Sequence, residues 1–477
     1  MDTRESLSVS STMDCRREKL YWASGIMTIG MIAALLWHGW QGWVLHQGYP
    51  HNTFLFLPAA RFTDFTDVLG YAKSPEPYLS YLAGYFPAVY LALWPMTQLE
   101  VHFATYLFLI ISGLGLWAAL VASLQPLIYD PQRIFSSSLL LALFSIILAF
   151  SYPVLFCLDR GNIEIFLGLC VAVGLLCFRH HYIRLGLLAL FPAICFKFYP
   201  ILLTALFLRP KHLLSVLIVG AALAFVTMAS MSAFSFPLAT SWELWNRNLQ
   251  FINQFYVIQN AGAAGTASPW NVGKAIFGLI YYFTTVPGSE NSTVLTEAFV
   301  QRLFSVYMSL ALLVVVAVVA YTVLIEREFF RRVILVLLLN SMIVPSGGEY
   351  RLIYMNMALI ILILLPRRRR HDLWATALLA LVVIPKREIF LTALGMSDSG
   401  FYDIPLSILI DVPCMLTAMA LLIKDGLLPG SWRHLQLRGF GLIGPFWRFL
   451  VKPGHSGRQP KRRSGRKELE RAKSSRR

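Results

Sequence analysis

LFSVYMSLALLVVVAVVAYTVLI, residues 303–325, carries no Asp, Glu, Lys or Arg. As a helix rising about 1.5 Å per residue it is about 35 Å long, enough to cross the roughly 30 Å hydrocarbon core of a bilayer. It is also far too long for a strand, so this stretch sets the fold class as membrane-spanning helix. The next residues, Glu326 to Arg332, are charged and mark where the chain leaves the lipid. Working outward, further apolar runs lie at Leu20 to Val44, His102 to Leu124, Ile134 to Tyr152, Ile163 to Phe178, Leu185 to Leu208, Leu213 to Phe234, Val333 to Val344, Leu352 to Leu365, Leu373 to Ile384 and Leu406 to Ile423. Tyr81 to Trp94 reads either as a further span or as a helix lying at the interface. The expectation is an all-α, polytopic transmembrane helical bundle of about 10–13 membrane segments, some of them re-entrant.

Composition agrees. Of 477 residues 57% are hydrophobic and 14% charged, against roughly 25% charged in soluble domains, and the mean hydropathy is +0.61. The net charge is +16, yet residues 424–477 hold 15 Lys and Arg against 3 Asp and Glu, so the rest is nearly balanced with 26 and 22. A basic tail after the last span fits a juxtamembrane segment on anionic lipid better than a nucleic-acid arm, and no nucleic-acid partner is expected. Cys157, Cys170, Cys177, Cys195 and Cys414 lie in or beside apolar runs and Cys15 precedes the first, which argues for small buried hydrophobes rather than a disulfide framework. The first run is long and aromatic with no small-residue cleavage site and reads as a retained anchor.

Basic residues orient the map, because Lys and Arg favour the cytoplasmic side. Arg16, Arg17 and Lys19 place the N-terminus (1–19) inside; Arg209 with Lys211, Glu326 to Arg332, Arg367 to Arg370 and the tail mark later inside loops. The transmembrane domain is then 20–423, with 46–80 and 235–302 outside. Trp270 to Val286 is interfacial or re-entrant. Arg179 and Arg184 also belong inside, whereas a count of single crossings puts them outside. A re-entrant Leu185 to Leu208, broken at Pro192 and Pro200, reconciles the two if the Tyr81 segment does not cross. The polar segments Arg61 to Glu76, Ser241 to Lys274 and Ser346 to Arg351 share one membrane face in either topology. No internal repeat and no mid-bilayer charge pattern of a transporter is visible.

The first outer loop contains Asp64 and Asp67, flanked by Arg61, Lys73 and Glu76. On a helix, i and i+3 share a face, so both carboxylates can reach one cavity, one as a base. A solvated loop holds such pairs as well. The second cluster is LDRGNIE, Asp159 to Glu164, followed by FPAICFKFYP, Phe191 to Pro200, in which Pro192 and Pro200 bracket Lys197. Ionisable groups in spans need partners. Asp159 or Glu164 neutralising Arg160 or Lys197 is as good a reading as a catalytic or binding role. Arg351, in SGGEYR, is either an outer-face phosphate ligand or a snorkelling interfacial arginine, with Glu349 beside it. Trp242, Trp245, Phe255, Tyr256 and Trp270 interleave with Asn246, Asn248, Asn260 and Asn271, which suits sugar binding and equally an aromatic belt. Asn291-Ser292-Thr293 is a formal glycosylation acceptor. No P-loop or dinucleotide fingerprint is present. His180-His181 reads as a solvated pair, and no metal or other cofactor is indicated, although a divalent ion at Asp64 and Asp67 is compatible with the residue types.

The D-F pair at Asp64, R-G-N-x-E at Arg160 to Glu164 and K-F-Y-P at Lys197 to Pro200 resemble the multispanning GT-C glycosyltransferases, in particular glycosyltransferase family 87, the polyprenyl-phosphate-mannose-dependent mannosyltransferases. R-G-N-x-E and K-x-Y-P also resemble the catalytic subunit of glycosylphosphatidylinositol mannosyltransferase I. The resemblance runs loosely from the first span to about Arg370. It implies transfer of a sugar, mannose foremost, from a polyprenyl phosphate to a glycolipid or polysaccharide acceptor, usually with inversion, in the inner (plasma) membrane with both termini cytoplasmic and the site on the outer face. It implies a catalytic acid at Asp64 or, by another alignment of the loop, Asp67; the D-F pair favours Asp64. A carboxylate accepting the acceptor proton is worth about 10² to 10⁴ in rate, and a departing phosphate calls for preorganised cations, for which Lys73, Lys197 and Arg351 are candidates. Arg61, Asp159, Arg160, Asn162, Glu164, Tyr199, Trp270, Asn271 and Glu349 are the expected substrate contacts. GAAG at residues 262–265 resembles a family loop that gates the site. Rival readings are a lipid-linked oligosaccharide polymerase or ligase, and a lipid or glycan transporter.

Overall fold

The computed structural model describes residues 3–48, 61–125, 134–208, 212–259, 268–273, 276, 297–343, 345, 349–365, 369–386 and 406–427. It divides into Met1–Gly426 and Leu427–Arg477, and of the second unit only Leu427 is described. Gly262, Gly265, Asn260, Asn291 and the basic tail beyond residue 427 lie outside the described residues.

Among the described residues the regular structure is helical throughout: α1 (Thr3–Trp43), α2 (Thr63–Lys73), α3 (Pro87–Leu93), α4 (Val101–Leu124), α5 (Ile134–Ala149), α6 (Tyr152–Arg160), α7 (Glu164–Arg179), α8 (Ile183–Phe196), α9 (Leu213–Ser232), α10 (Leu238–Ile252), α11 (Glu297–Leu324), α12 (Phe329–Ile343), α13 (Ile353–Leu364), α14 (Asp372–Val382) and α15 (Leu406–Leu427). The all-α polytopic expectation is met. Among the described residues five helices are long and apolar enough to cross a bilayer, the apolar parts of α1, α4, α9, α11 and α15, and six if α5 and α6 count as one span bent by 40°. On α11 the residues Leu310, Leu312, Leu313 and Val316 are exposed; a contiguous apolar surface of this kind belongs against lipid. By contrast α12 is buried from Arg331 to Met342 and α13 from Ile353 to Ala358 and beyond. These two short helices form the centre of the bundle, the position for a helix that is apolar all round.

One set of basic residues gathers at one end. Lys19 Nζ donates to the carbonyls of Leu362 at 2.7 Å and Leu365 at 3.0 Å, and Arg16 Nε to Leu364 at 2.9 Å. Arg179, whose charge is felt by Arg16, donates to Ser123 O at 2.7 Å. These cations satisfy carbonyls left open where α13 and α4 end, where the helix dipole favours positive charge. At the same end Arg369 binds Glu326 through both Nη atoms at 2.8 Å, Arg331 pairs with Asp372 at 2.7 Å, and His371 Nδ1 lies 2.6 Å from Asp425. Arg331 and Arg332 are thus part of α12 and buried, rather than part of a charged loop that ends at residue 332.

The uncertain middle of the chain resolves into a hairpin. α7 and α8 join through an exposed turn in which His181 takes a left-handed φ of 64°. Gly174 and Gly186 let the two helices touch: a Cβ on Gly186 would lie 2.3 Å from the Phe178 ring. α8 continues through Pro192 and stops at Phe196; the break falls at Lys197 and Phe198, and Pro200 opens a 3₁₀ segment, Tyr199–Phe207. Phe207 packs with tilted rings against Phe178 and Phe329, both at the basic end. Residues 183–207 therefore leave that end, reach Lys197 at the other, and return. Tyr81 to Trp94, left open between a span and an interfacial helix, holds the 7-residue α3 and is followed by a 5-residue 3₁₀ turn, Trp94–Gln98, too short to cross a bilayer. Ile134 to Tyr152 is not one straight span, because the chain bends after Ala149 and Pro153 starts the separate α6.

Candidate active site

The site is built where the start of α2 meets the turn between α6 and α7. Phe62 enters α2 with φ 60° and donates its N–H to Asp159 O at 2.8 Å. Gly161 ends α6 with φ 64°, and a Cβ there would lie 3.1 Å from Phe62 Cα and from Phe65 Cβ. The glycine of R-G-N is therefore required twice, for its left-handed backbone and for the close approach of the two loops. That approach brings Arg160 Nη2 onto Asp64 Oδ1 and Asn162 Nδ2 to 2.6 Å from Asp64 Oδ2. Asn162 Oδ1 also accepts from Glu164 N at 3.0 Å, so one amide both starts α7 and orients the acid. The D-F-T-D segment is helical, one of the two readings its spacing left open. Asp64 occupies the first turn, where the helix dipole supports a carboxylate.

Asp64 is 17% exposed, so it is fixed and still reachable. Asp67 lies one turn on with its side chain turned outward. Partial desolvation, then the charge of Asp64, raises the Asp67 carboxyl above the usual carboxylate range against the pull of Arg160. Arg61 Nε stands 3.6 Å from Asp159 Oδ1, with Asp159 buried and Arg61 half in solvent. Arg160 thus serves Asp64, and Asp159 is neutralised by Arg61.

The second half surrounds Glu164. Its side chain is fully buried and accepts from Lys197 Nζ at 2.7 Å, from Tyr199 Oη, and from Tyr354 Oη at 3.1 Å. A buried carboxylate would be very costly without such partners. Breaking α8 at Lys197 delivers the ammonium here, over the rings of Tyr85 at 5.1 Å and Tyr350 at 5.4 Å. The Arg351 guanidinium lies over Tyr199 at 5.7 Å. Three acids, Asp64, Asp159 and Glu164, thus face three cations, Arg61, Arg160 and Lys197. Arg351 stands near them on the Glu349–Leu352 turn. The Glu349 carboxylate takes hydrogen bonds from Tyr152 and Ser407.

Other expected residues are placed elsewhere. Lys73 ends α2, exposed, about 14 Å along the axis from Asp64, and is not among the groups around it. Trp270 is buried in a satellite cluster with Phe304 and Tyr307 and donates to Val257 O at 3.0 Å; Asn271 is buried next to it. Trp245 packs on Phe86, and Asn248 Nδ2 lies 2.7–3.2 Å from the carbonyls of Tyr78, Ser80 and Ala83. These two residues fasten α10 to the 78–83 segment. Tyr85, Tyr350, Tyr354, Tyr152 and Ser407 were not singled out in the sequence. Tyr354 had a signal, a phenol one helical turn beyond Arg351; Tyr85 and Ser407 had none. His180 and His181 are exposed, and among the described residues no group of three or more His, Cys, Asp or Glu side chains is placed to hold a metal.

A model described as glycosyltransferase family 87 matches residues 81–346, more than half of the chain. The chain belongs to glycosyltransferase family 87. Family 87 membership makes it a glycosyltransferase, and its long apolar helices make it a multi-pass membrane protein. The matched span includes Asp159 to Glu164 and Lys197 to Pro200, whereas Arg61, Asp64, Asp67 and Lys73 precede it and Glu349 and Arg351 follow it. No curated protein and no solved structure matches the chain.

Proposed function

We propose that this family 87 enzyme moves a sugar, mannose foremost, from a polyprenyl phosphate to a glycolipid or polysaccharide acceptor with inversion at the anomeric carbon. Asp64 is the base. The observation that carries this reading is a partly exposed carboxylate, oriented by Arg160 and Asn162, in the same cluster as the Lys197 ammonium that Glu164, two residues after Asn162, holds. The acceptor hydroxyl attacks the anomeric carbon and passes its proton to Asp64; the C–O bond to the phosphate breaks, and its electron pair leaves on the phosphate oxygen. Lys197 and Arg351 stabilise that growing charge, which is where preorganised cations act most strongly. Arg160 and Asn162 hold the carboxylate oriented. The basic end faces the cytoplasm under the positive-inside rule, which puts the site on the outer leaflet of the plasma membrane.

The test is transfer by purified protein from a radiolabelled polyprenyl-phosphate sugar. Asp64→Asn is expected to lower kcat by at least about 10²-fold with unchanged protein yield, while Asp67→Asn keeps most activity. Full activity in Asp64→Asn, or loss in Asp67→Asn alone, overturns the assignment. Consumption of a preassembled lipid-linked glycan in place of the single-sugar donor would favour the ligase reading.

A further inference from the structure

The Glu349–Leu352 turn carries two groups that touch the site, Tyr350 against Lys197 and Arg351 against Tyr199. Its own footing lies deeper. Glu349 is buried, and its two carboxylate oxygens accept from Tyr152 on α6 and Ser407 on α15. The same face of α6 supports the next residue: Phe156 stacks on Tyr350 at 5.6 Å, and Cys157 Sγ lies 3.6 Å from Tyr350 O. From below, Ser341 Oγ on α12 approaches Arg351 O at 3.4 Å.

Beside Ser407, one turn along α15, is the buried Asp411, close enough to Glu349 for their charges to interact. Asp411 is paired with Lys386 at 2.9 Å, and Lys386 also donates to the carbonyls of Leu381, Val382 and Ile384, closing the end of α14. Val383 O in turn accepts from Tyr152 N at 3.0 Å. A single connected frame therefore runs from α14 and α15 through Tyr152 and Glu349 to the turn. Lys386, Ser407 and Asp411 lie beyond the family 87 span.

We propose that Tyr152, Ser407 and the Lys386–Asp411 pair are positioning residues: they hold Glu349 as the buried root of the 349–352 turn and so set where Tyr350 and Arg351 stand against Lys197 and Tyr199. Glu349 is then an internal anchor, and the sugar-contact role expected for it passes to its neighbours. A buried carboxylate tolerates no vacancy among its donors, because each lost hydrogen bond leaves an oxygen both desolvated and unpaired. The turn is a single 3₁₀ turn of four residues, whereas α6, α14 and α15 are longer packed helices, so the turn is what moves.

The kinetic part of this inference rests on the proposed transfer reaction; the structural part does not, and the experiment separates them. Hydrogen exchange of full-length protein in nanodiscs is measured for Ser407→Ala, Ser407→Thr and Tyr152→Phe. Faster exchange across residues 349–354 in Ser407→Ala and Tyr152→Phe is expected, with α2 and α7 unchanged and Ser407→Thr close to wild type. Unchanged exchange in the turn, or loosening of the whole bundle by Ser407→Thr as well, overturns the proposal whether or not any donor is turned over. With a polyprenyl-phosphate sugar as substrate, Ser407→Ala is expected to raise KM for the donor about tenfold with kcat within about threefold, and to add nothing in an Arg351→Ala background. Equal losses in both backgrounds would show that Ser407 does not act through Arg351. A wild-type protein that binds and turns over no such donor sinks the proposed function, while the exchange result still decides the frame.

Discussion

Gly161 shows how much a single residue fixes. It supplies a left-handed φ of 64° and the clearance for Phe62, and its neighbours on either side, Arg160 and Asn162, both hold Asp64. Gly161→Ala is expected to cost about 1–2 kcal/mol from backbone conformation alone, with a further cost because Phe62 and Phe65 must retreat. The measurement is melting temperature in detergent together with transfer rate; a variant as stable and active as wild type would show that the two loops do not need this approach. Lys197→Arg is a sharper case. A guanidinium keeps the charge but is planar and longer than the ammonium held against Glu164 and two tyrosine rings. Activity is expected to fall at least about tenfold, and equal activity would argue that only charge matters there.

At the scale of elements, the α8 hairpin makes its own prediction. Both feet of residues 183–207 stand at the basic end and Lys197 at the other. Cysteines placed at Tyr182 and His212 should therefore react with a membrane-impermeant thiol reagent from the same side, and opposite accessibility would mean that the segment crosses. The hydropathy of this segment was legible in the sequence, and the basic flanks already argued for a re-entrant path. The position of the break was not legible. Pro192 sits inside α8 without ending it, since a helix packed in lipid against neighbours can re-satisfy the carbonyl a proline frees. The break falls where Lys197 gains Glu164, a partner 33 residues away in sequence. The same reason explains the site as a whole. Asp64, the R-G-N turn and Lys197 stood out as charges in an apolar chain, so the candidates could be named, but which acid serves which cation is set by tertiary contacts. Arg160 pairs with Asp64, and the adjacent Asp159 with Arg61. Trp270 and Trp245 had sugar-binding chemistry on paper and lie in packing, because an indole buries more apolar area than almost any other side chain; Trp270 also donates its N–H to Val257 O.

For the whole molecule, the basic end acts as a clasp. Glu326, in the loop before α12, is buried, which pushes its carboxyl up, but hydrogen bonds from Arg369 and from the Glu328 N–H outweigh this and hold it below the usual carboxylate range. A carboxyl whose folded value is depressed contributes stability that is present above its unfolded value and is lost as pH falls through the folded one. Melting temperature should therefore drop on acidification below about pH 4, and Glu326→Gln should flatten that part of the profile while lowering stability at neutral pH. A wild-type profile unaltered by the substitution would assign the acid sensitivity elsewhere. The contact of Lys19 with Leu362 and Leu365 adds a matter of timing. The lysine is made early and its acceptors 343 and 346 residues later. At about 5–20 residues per second, the first helix waits roughly 17–70 s in the membrane with an unanswered cation before the chain that caps it emerges from the ribosome. A nascent chain stalled before residue 362 therefore lacks both of the acceptors that hold this ammonium in the folded protein.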